Sequence, residues 1–188
     1  MDWRAKQGIS GPMYVGRDTH GLSGPAMDSV LEVLAGNSVV TRVDSAGGFT
    51  PTPLVSHAIL VHNVAKPAVL ADGLIITPSH NPPEDGGIKY NGPDGGPAGT
   101  EATGWIEARA NALLEAGLVG VKTSPRRMAA VAAEPWDYVA QYVANLPNVV
   151  DMAAIKASGL KLGVDPMGGS ALAVWEAFSQ RRLAMAPA

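Results

Sequence analysis

The stretch TPSHNPPEDGGIKY, residues 77–90, places a serine and a histidine side by side between prolines and ends near a lysine. Prolines on both sides of Ser79 restrict its backbone, so the serine can be held in few conformations at a low cost in entropy. His80 and Lys89 can carry protons or neutralise phosphate charge, and the two glycines before Lys89 let the backbone approach an anion closely. These residue types together point to phosphoryl chemistry.

The residues alone leave a second interpretation of this loop open. A serine hydroxyl is a poor nucleophile unless a base, a metal ion or a stable modified form assists it. The chain has no Gly-x-Ser-x-Gly esterase elbow around Ser79, no Walker lysine motif and no dinucleotide fingerprint. A loop of this composition is most often an ordinary surface turn. His20, His57 and His62 are interpreted as cap or helix-surface residues, since no pair of them has a metal-ligand motif around it.

The composition narrows the function classes. Of the 188 residues, 46% are hydrophobic, which is enough to bury a core. The 14 basic and 17 acidic residues give a net charge of −3, which argues against a dedicated binder of nucleic acid or of an anionic membrane. Cysteine is absent, which excludes disulfides and thiolate metal sites. The first residues have no apolar signal core and no apolar run reaches the length of a bilayer span, so the expected location is cytoplasmic.

Two hydrophobic periods alternate along the first half of the chain, and this alternation is the main signal of its fold. Short apolar runs predict strands at residues 13–16, 39–43 and 74–77. Helical spacing predicts a helix capped by Ser23, a second that begins at Thr52-Pro53, and a third over residues 100–116. The buried positions expected in the third helix are Trp105, Ile106, Ala110, Leu113 and Leu114.

Strand–helix alternation predicts an α/β fold with a mostly parallel sheet flanked by helices. The loop that carries Ser79 leaves the carboxyl end of the third predicted strand. In open α/β sheets ligands bind at that edge, because strand ends and helix N-termini converge there. Ser79 is therefore expected at the rim of a cleft.

A change in composition marks the second half of the chain. Small, charged and proline residues at 124–135 predict a connection between two units. Beyond it the pattern indicates helices at residues 136–144 and 149–157, a strand at 160–164, a turn at 165–170 and a helix at 171–183. This order is interpreted as the start of a second α/β unit.

The loop Thr77-Pro78-Ser79-His80-Asn81-Pro82, with the acids, glycines and lysine after it, closely resembles the active-site loop of the α-D-phosphohexomutases. Three further stretches, residues 15–20, 48–53 and 164–170, resemble that family in the same order. The doubled proline at 82–83 and residues 91–97 look most like the bacterial glucose-specific members. The resemblance runs from about Gly8 to Trp175 and favours phosphoryl chemistry over the surface turn.

The resemblance implies a role for each residue of the loop. Ser79 would carry a phosphoryl group in the resting enzyme, give it to the free hydroxyl of glucose 1-phosphate, and recover the other phosphoryl after the bisphosphorylated sugar turns round. His80 and Lys89 would place or remove protons at the sugar hydroxyl. Asn81 and Arg17 would contact the substrate, although Asn81 can instead support the loop and Arg17 can simply order the loop that follows its strand.

The resemblance also implies cofactors for a phosphoglucomutase of glucose metabolism. A phosphorylated Ser79 would give one oxygen ligand to Mg²⁺, which neutralises charge as the phosphoryl group moves. Glucose 1,6-bisphosphate would be both activator and intermediate, and the partner would be a phosphorylated hexose. The alternatives are a phosphomannomutase and a domain that binds phosphosugars without catalysis.

Members of this family have four domains around one cleft. The resemblance implies that residues 1–134 are the first domain without its N-terminal strand and arginine-bearing loop, and that residues 135–188 begin the second. The other metal ligands and the loop that selects the sugar would then be absent. We therefore expect weak or no turnover from the chain alone, and self-association through exposed apolar surface.

Overall fold

The computed structural model describes residues 1–82 and 84–180. Its strands are β1 (Met13–Arg17), β2 (Thr41–Asp44), β3 (Asp72–Ile76), β4 (Ile88–Asn91) and β5 (Glu134–Trp136). Its helices are α1 (Asp2–Lys6), α2 (Ser23–Gly36), α3 (Thr52–Ala65), α4 (Thr100–Glu115), α5 (Arg126–Ala132), α6 (Tyr138–Asn145), α7 (Met152–Ala157) and α8 (Leu172–Phe178), with a short 3₁₀ turn at Leu146–Asn148. None of the helices in the described ranges is long and apolar enough to cross a bilayer.

The strands form one sheet in the order β4-β3-β1-β2-β5. β1 pairs in parallel with both β2 and β3, β2 pairs in parallel with β5, and β4 runs antiparallel to β3. The predicted α/β fold with a mostly parallel sheet is confirmed. Because β1, β2 and β3 point the same way, the loops after them leave from one edge of the sheet.

Side chains of β1 alternate between two cores. Tyr14 packs with Val55 and Ile59 of α3 on one face, whereas Val15 packs with Leu34 of α2 on the other. All five of these side chains are buried. The sheet is thus covered on both faces, which holds the ends of its central strands in fixed positions.

Two predictions about helices are wrong. Leu22 is the N-cap of α2, and Ser23 lies one residue further on, where its hydroxyl donates to the Asp18 carboxylate instead of to its own helix. The third predicted helix is present as α4 but has no buried residue, so none of its expected core positions is buried. The reason is that α4 packs mainly on the short α1, as in the Trp3–Trp105 ring contact at 5.6 Å, and not on the sheet.

The connection predicted at residues 124–135 contains two elements. Helix α5 packs on α2, and β5 adds a strand to the sheet beside β2. The sequence pattern does not predict this strand because the strand contains Pro135, and proline cannot donate a ladder hydrogen bond. Proline is tolerated in an edge strand, which is the position of β5. The strand Glu134–Trp136 crosses the expected domain boundary between residues 134 and 135. The two domain spans, residues 1–134 and 135–188, stay predictions.

The strand predicted at residues 160–164 does not form. Leu160, Leu162 and Val164 are 71%, 49% and 49% exposed, and no neighbouring strand among the described residues offers ladder hydrogen bonds. The turn at residues 165–170 is present, with the Gly169 amide donating to the Pro166 carbonyl at 2.8 Å. The helix predicted at 171–183 is α8, and residues 181–183 lie outside the described residues.

A buried ion pair ties α1 to the sheet. The Arg4 guanidinium donates to the Asp72 carboxylate at 2.8 Å, and these side chains are 7% and 0% exposed. The Tyr90 hydroxyl donates to the same carboxylate at 3.0 Å, so α1, β3 and β4 meet at one acid. Burial raises the pKa of Asp72 although Arg4 and Tyr90 act to lower it. The acid therefore depends on its partners to stay ionised.

A chain of polar contacts crosses the core beneath α3. The Arg42 guanidinium donates to the Tyr14 hydroxyl at 2.8 Å, and that hydroxyl lies 3.3 Å from His62 Nδ1. His62 Nε2 lies 3.0 Å from the Val69 carbonyl oxygen, which assigns the ring proton to Nε2 and leaves Nδ1 to accept. Burial lowers the pKa of His62, so the neutral ring is the folded form.

Replacing Arg4 by methionine should lower the free energy of unfolding by about 3–5 kcal/mol, because Asp72 would be left buried without a counter-ion. The matched control is Arg109→Met, since the Arg109–Asp2 pair is as short, at 2.7 Å, but its side chains are 47% and 53% exposed. Such an exposed pair contributes about 0–1 kcal/mol. Urea denaturation measures both losses, and equal losses would contradict this account of α1.

The lowered pKa of His62 predicts a loss of stability in mild acid. The unfolded ring takes up a proton near the usual histidine pKa of about 6.5, while the folded ring resists it. The His62 contribution is therefore fully present above this pH and is lost as the pH falls through the lowered folded pKa. Urea denaturation between about pH 8 and pH 5 should show a steeper fall for the wild-type chain than for His62→Gln. Parallel curves would refute the assignment.

Candidate active site at the carboxyl edge of the sheet

Ser79 lies in the loop that leaves β3 and returns as β4. The ends of this loop are joined by a hydrogen bond in which the Thr77 amide donates to the Gly87 carbonyl at 2.9 Å. Ser79 itself has a φ of 78°, and its amide donates to Thr77 Oγ1 at 2.9 Å. This left-handed conformation costs an L-residue about 1–2 kcal/mol, so the surrounding contacts must hold it. The Ser79 side chain is exposed.

Ser79 lines a cavity of about 380 Å³ at the edge of the sheet. The loop after β1, the N-terminus of α3 at Thr52 and the turn at residues 167–170 form its other walls. This volume lies within the range of about 300–1,000 Å³ usual for small-molecule sites. The prediction that Ser79 borders a cleft is thus confirmed by its place in the fold.

The Asp18 carboxylate, in the loop after β1, is the common acceptor of this region. It accepts from the Ser23 hydroxyl at 2.5 Å and from the His20 amide at 3.0 Å, and its Oδ2 lies 2.7 Å from His20 Nδ1. Partial burial alone would raise the pKa of Asp18, but the polar groups of Ser23, Thr77 and His20 around it outweigh burial and lower the pKa. Asp18 is therefore an ionised carboxylate with its oxygens already engaged.

His20 bridges the loop after β1 to the loop of Ser79. Its Nδ1 lies 2.7 Å from Asp18 Oδ2, and its Nε2 lies 2.9 Å from the Asn81 carbonyl oxygen. The Asn81 carbonyl and, beyond it, the Asp18 carboxylate raise the pKa of His20 against the opposing effect of desolvation. From the sequence, His20 is interpreted as a cap or helix-surface residue, and that interpretation is wrong, since the His20 ring joins two loops. No local pattern could have predicted this contact, because Asn81 lies 61 residues further along the chain.

The two predicted proton carriers are exposed. His80 follows Ser79 at the tip of the loop and has no hydrogen-bond partner among the described residues. Lys89 lies on β4 opposite Ile75. Asn91, two residues further along β4, donates to Ser56 Oγ on α3 at 3.0 Å, so strand alternation puts Lys89 on the same face of the sheet. That face also contains the cavity wall formed by α3. The catalytic roles of His80 and Lys89 stay predictions.

Asn81 and Arg17, both predicted to contact substrate, lie in different places. The Asn81 side chain donates to Asp85 at 3.1 Å within the loop. The Arg17 guanidinium donates to the Gly47 carbonyl at 3.1 Å and lies over the Phe49 ring, 5.3 Å from its centre. Arg17 lines a separate cavity of about 700 Å³ between α2, α5 and the loop after β2. The structure thus does not bring Arg17 into the cavity of Ser79.

The donor set for a metal ion is incomplete in the described part of the chain. No group of three or more His, Asp or Glu side chains is placed there to hold a cation. Among the described residues that line the Ser79 cavity, the one carboxylate is Asp18, whose oxygens are already hydrogen-bonded. These residues do not form a Mg²⁺ site by themselves, and no reaction step through a metal ion follows from them.

Comparison with known proteins decides the family. Residues 1–116 match the model of phosphoglucomutase/phosphomannomutase, alpha/beta/alpha domain I. The chain belongs to this family. It is 49% identical over 177 residues to a phosphoglucomutase of Komagataeibacter xylinus, and the match covers 93% of this chain and 32% of that relative. The chain thus spans less than half the length of the curated relative that it matches.

Solved structures of the phosphoglucomutase/phosphomannomutase family have the same fold. The chain superposes on pp63/parafusin, a phosphoglucomutase from Paramecium in its open form, with a TM-score of 0.78 at 21% identity, over 98% of this chain and 37% of that one. It superposes on a Thermus thermophilus protein that bears the name phosphomannomutase with a TM-score of 0.72 at 27% identity, over 95% of this chain and 36% of that one. The fold expected from the resemblance is confirmed.

The close approach of Gly87 to the start of the loop predicts a sensitive position. A Cβ at Gly87 would lie 2.7 Å from the Thr77 carbonyl oxygen and 3.0 Å from Pro78 Cα, both backbone atoms. Gly87→Ala should therefore lower the free energy of unfolding by about 1–3 kcal/mol and displace the loop of Ser79. At Gly86 the added Cβ would meet, among the described residues, only the Leu22 side chain at 3.6 Å, so Gly86→Ala is the control. Thermal denaturation compares the two, and an equal effect of both alanines would contradict the packing.

Proposed function

We propose that this chain provides the phosphoryl-carrying part of a phosphoglucomutase that interconverts glucose 1-phosphate and glucose 6-phosphate. The proposal rests on one observation above the others: Ser79 combines a left-handed backbone with an exposed side chain that lines a cavity of about 380 Å³. Strain of this kind persists where the surroundings over-determine a functional geometry. The 49% identity to a phosphoglucomutase favours glucose phosphates as the substrate class.

The proposed reaction moves one phosphoryl group off Ser79 and another back onto it. The bond between Ser79 Oγ and phosphorus breaks while the free hydroxyl of glucose 1-phosphate forms a new bond to that phosphorus. The hydroxyl proton leaves to a nearby base, and Ser79 Oγ keeps the electron pair and is protonated. The resulting glucose 1,6-bisphosphate turns round, and its other phosphoryl group returns to Ser79. A serine that is already phosphorylated never has to be activated as a free hydroxyl.

His80, Lys89 and Asn81 have proposed roles that agree with their surroundings. His80 and Lys89 are exposed near the phosphoserine loop, so either side chain is free to reach a sugar hydroxyl or a phosphate oxygen. Asn81 is engaged with Asp85 through its side chain and with His20 through its carbonyl, which favours loop support over substrate contact. Arg17 is retained as a substrate contact only if the sugar phosphate extends into the neighbouring cavity.

Two cofactors belong to the proposal. Glucose 1,6-bisphosphate is proposed as the donor that loads Ser79. Mg²⁺ is proposed at the phosphoserine, where it would neutralise charge with one oxygen of the phosphorylated side chain among its ligands. Because no free carboxylate lines the cavity among the described residues, we expect the 188-residue chain to turn over slowly by itself.

Intact-mass measurement after incubation with glucose 1,6-bisphosphate and Mg²⁺ tests the proposal. The wild-type chain should gain one phosphoryl group, because Ser79 is the exposed acceptor at the cavity, and Ser79→Ala should gain none. The control is Ser29→Ala, which removes an exposed hydroxyl on α2 that donates to the Pro25 carbonyl of its own helix and should leave the gain unchanged. A wild-type chain that stays unmodified, or a gain that persists in Ser79→Ala, would overturn the proposal.

The same measurement separates the alternatives. Binding of the bisphosphate in calorimetry without any gain of mass would indicate a phosphosugar-binding domain. A phosphoryl group gained faster from mannose 1,6-bisphosphate than from glucose 1,6-bisphosphate would indicate a phosphomannomutase. Conversion of glucose 1-phosphate to glucose 6-phosphate by the chain, followed in parallel, reports whether loading leads to turnover.

A further inference from the structure

We infer that His20 is a positioning residue: together with Asp18 it clamps the backbone on both sides of Ser79 and so sets the direction of the phosphoryl-bearing side chain. The inference deepens the proposed function and rests on it, since the clamp matters for phosphoryl transfer only if Ser79 carries the group. The clamp has two arms, and both begin at Asp18, one at its backbone amide and the other at its carboxylate.

The first arm holds the amide side of Ser79. The Thr77 Oγ1 accepts the Ser79 amide at 2.9 Å. Thr77 directly follows Ile76, whose carbonyl oxygen accepts the Asp18 amide at 3.1 Å. Thr77 is buried, with 6% of its surface exposed, so water competes little for this arm. The orientation of the Ser79 peptide is thereby coupled to the position of Asp18.

The second arm holds the carbonyl side, two residues later. The Nδ1 atom of His20 lies 2.7 Å from Asp18 Oδ2, and its Nε2 atom lies 2.9 Å from the Asn81 carbonyl oxygen. Both partners are oxygen acceptors, and only the imidazolium form of histidine has a donor on each nitrogen. The charged groups that act on the ring are the carboxylates of Asp18 and Asp85, and both favour that form. Hydrogen bonds to an ionised donor are about twice as strong as neutral ones.

The two arms enclose the loop residue that has a left-handed backbone. Ser79 lies between the amide held by Thr77 and the carbonyl held by His20, and its φ of 78° is a conformation that L-residues avoid. Releasing either arm would let the residue relax to a negative φ. Its side chain would then no longer point into the cavity that Asp18, His20 and Ser79 share. A positioning role for His20 follows without any contact between its ring and the substrate.

The test compares His20→Phe, which keeps a planar ring but has no donor, with His20→Arg, which is always charged and offers several donors. One readout is hydrogen exchange of the Ser79 amide, which donates to Thr77 Oγ1. The other is the rate at which glucose 1,6-bisphosphate loads Ser79, measured by intact mass at saturating donor. The control is His57→Phe, since His57 lies on α3 against Tyr142 and does not line the cavity.

The clamp predicts that His20→Phe speeds exchange of the Ser79 amide by about tenfold, the factor expected for losing a hydrogen bond to a charged group. Loading at saturating donor should slow by a similar factor, and His20→Arg should restore both readouts at least in part. Unchanged loop exchange in His20→Phe, or loss of loading in His20→Arg as complete as in His20→Phe, would overturn the inference. A wild-type chain that never loads would refute the proposed function alone, because loop exchange still decides the clamp.

If His20→Phe fails to fold, the wild-type chain still gives an answer. Nitrogen-15 spectra of the ring report whether His20 carries a proton on both nitrogens. The clamp requires a His20 pKa above the usual value of about 6.5. A ring that titrates below that value would contradict the bridge between Asp18 and Asn81.

Discussion

One carboxylate joins the start of α2 to the loop after β1, and the candidate site depends on it. Asp18 accepts from the Ser23 hydroxyl at the start of α2 and from the His20 amide in its own loop, and it pairs with the His20 ring, which reaches the Asn81 carbonyl. These contacts help to keep the acid ionised against its partial burial. The loop of Ser79 is therefore fixed to the end of β1 by polar contacts, even though it is exposed at its tip.

The sheet order explains why these segments meet. β1 is the central strand and pairs in parallel with β3, so Asp18 and Thr77 follow neighbouring strands at the same edge. The Asp18 amide donates to the Ile76 carbonyl at 3.1 Å, which continues the ladder one step past the end of β1. With Tyr14 buried on one face and Val15 on the other, neither strand can shift without disrupting a core. The precision of the site thus derives from the packing of the two faces.

Local patterns predicted the strands, the main helices and the chemical character of the loop, because these follow from periodicity and residue type. They did not predict contacts between distant segments. His20 and Asn81 are far apart in sequence, so their bridge could be found only with the sheet register in hand. Pro135 made β5 look like a connection, and the apolar residues 160–164 suggested a strand although no partner strand exists for them in the described residues. The Asp-x-His spacing after β1 was the one local signal that could have marked His20.

The central claim is that Asp18 holds Ser79 in its left-handed conformation. The most direct test is to determine φ at residue 79 by nuclear magnetic resonance, from the amide-to-Hα distance and residual dipolar couplings, in the wild-type chain and in Asp18→Ala. The account predicts a single positive φ near 78° in the wild-type chain and averaging with negative φ in Asp18→Ala. A positive φ that survives unchanged without the carboxylate would contradict it.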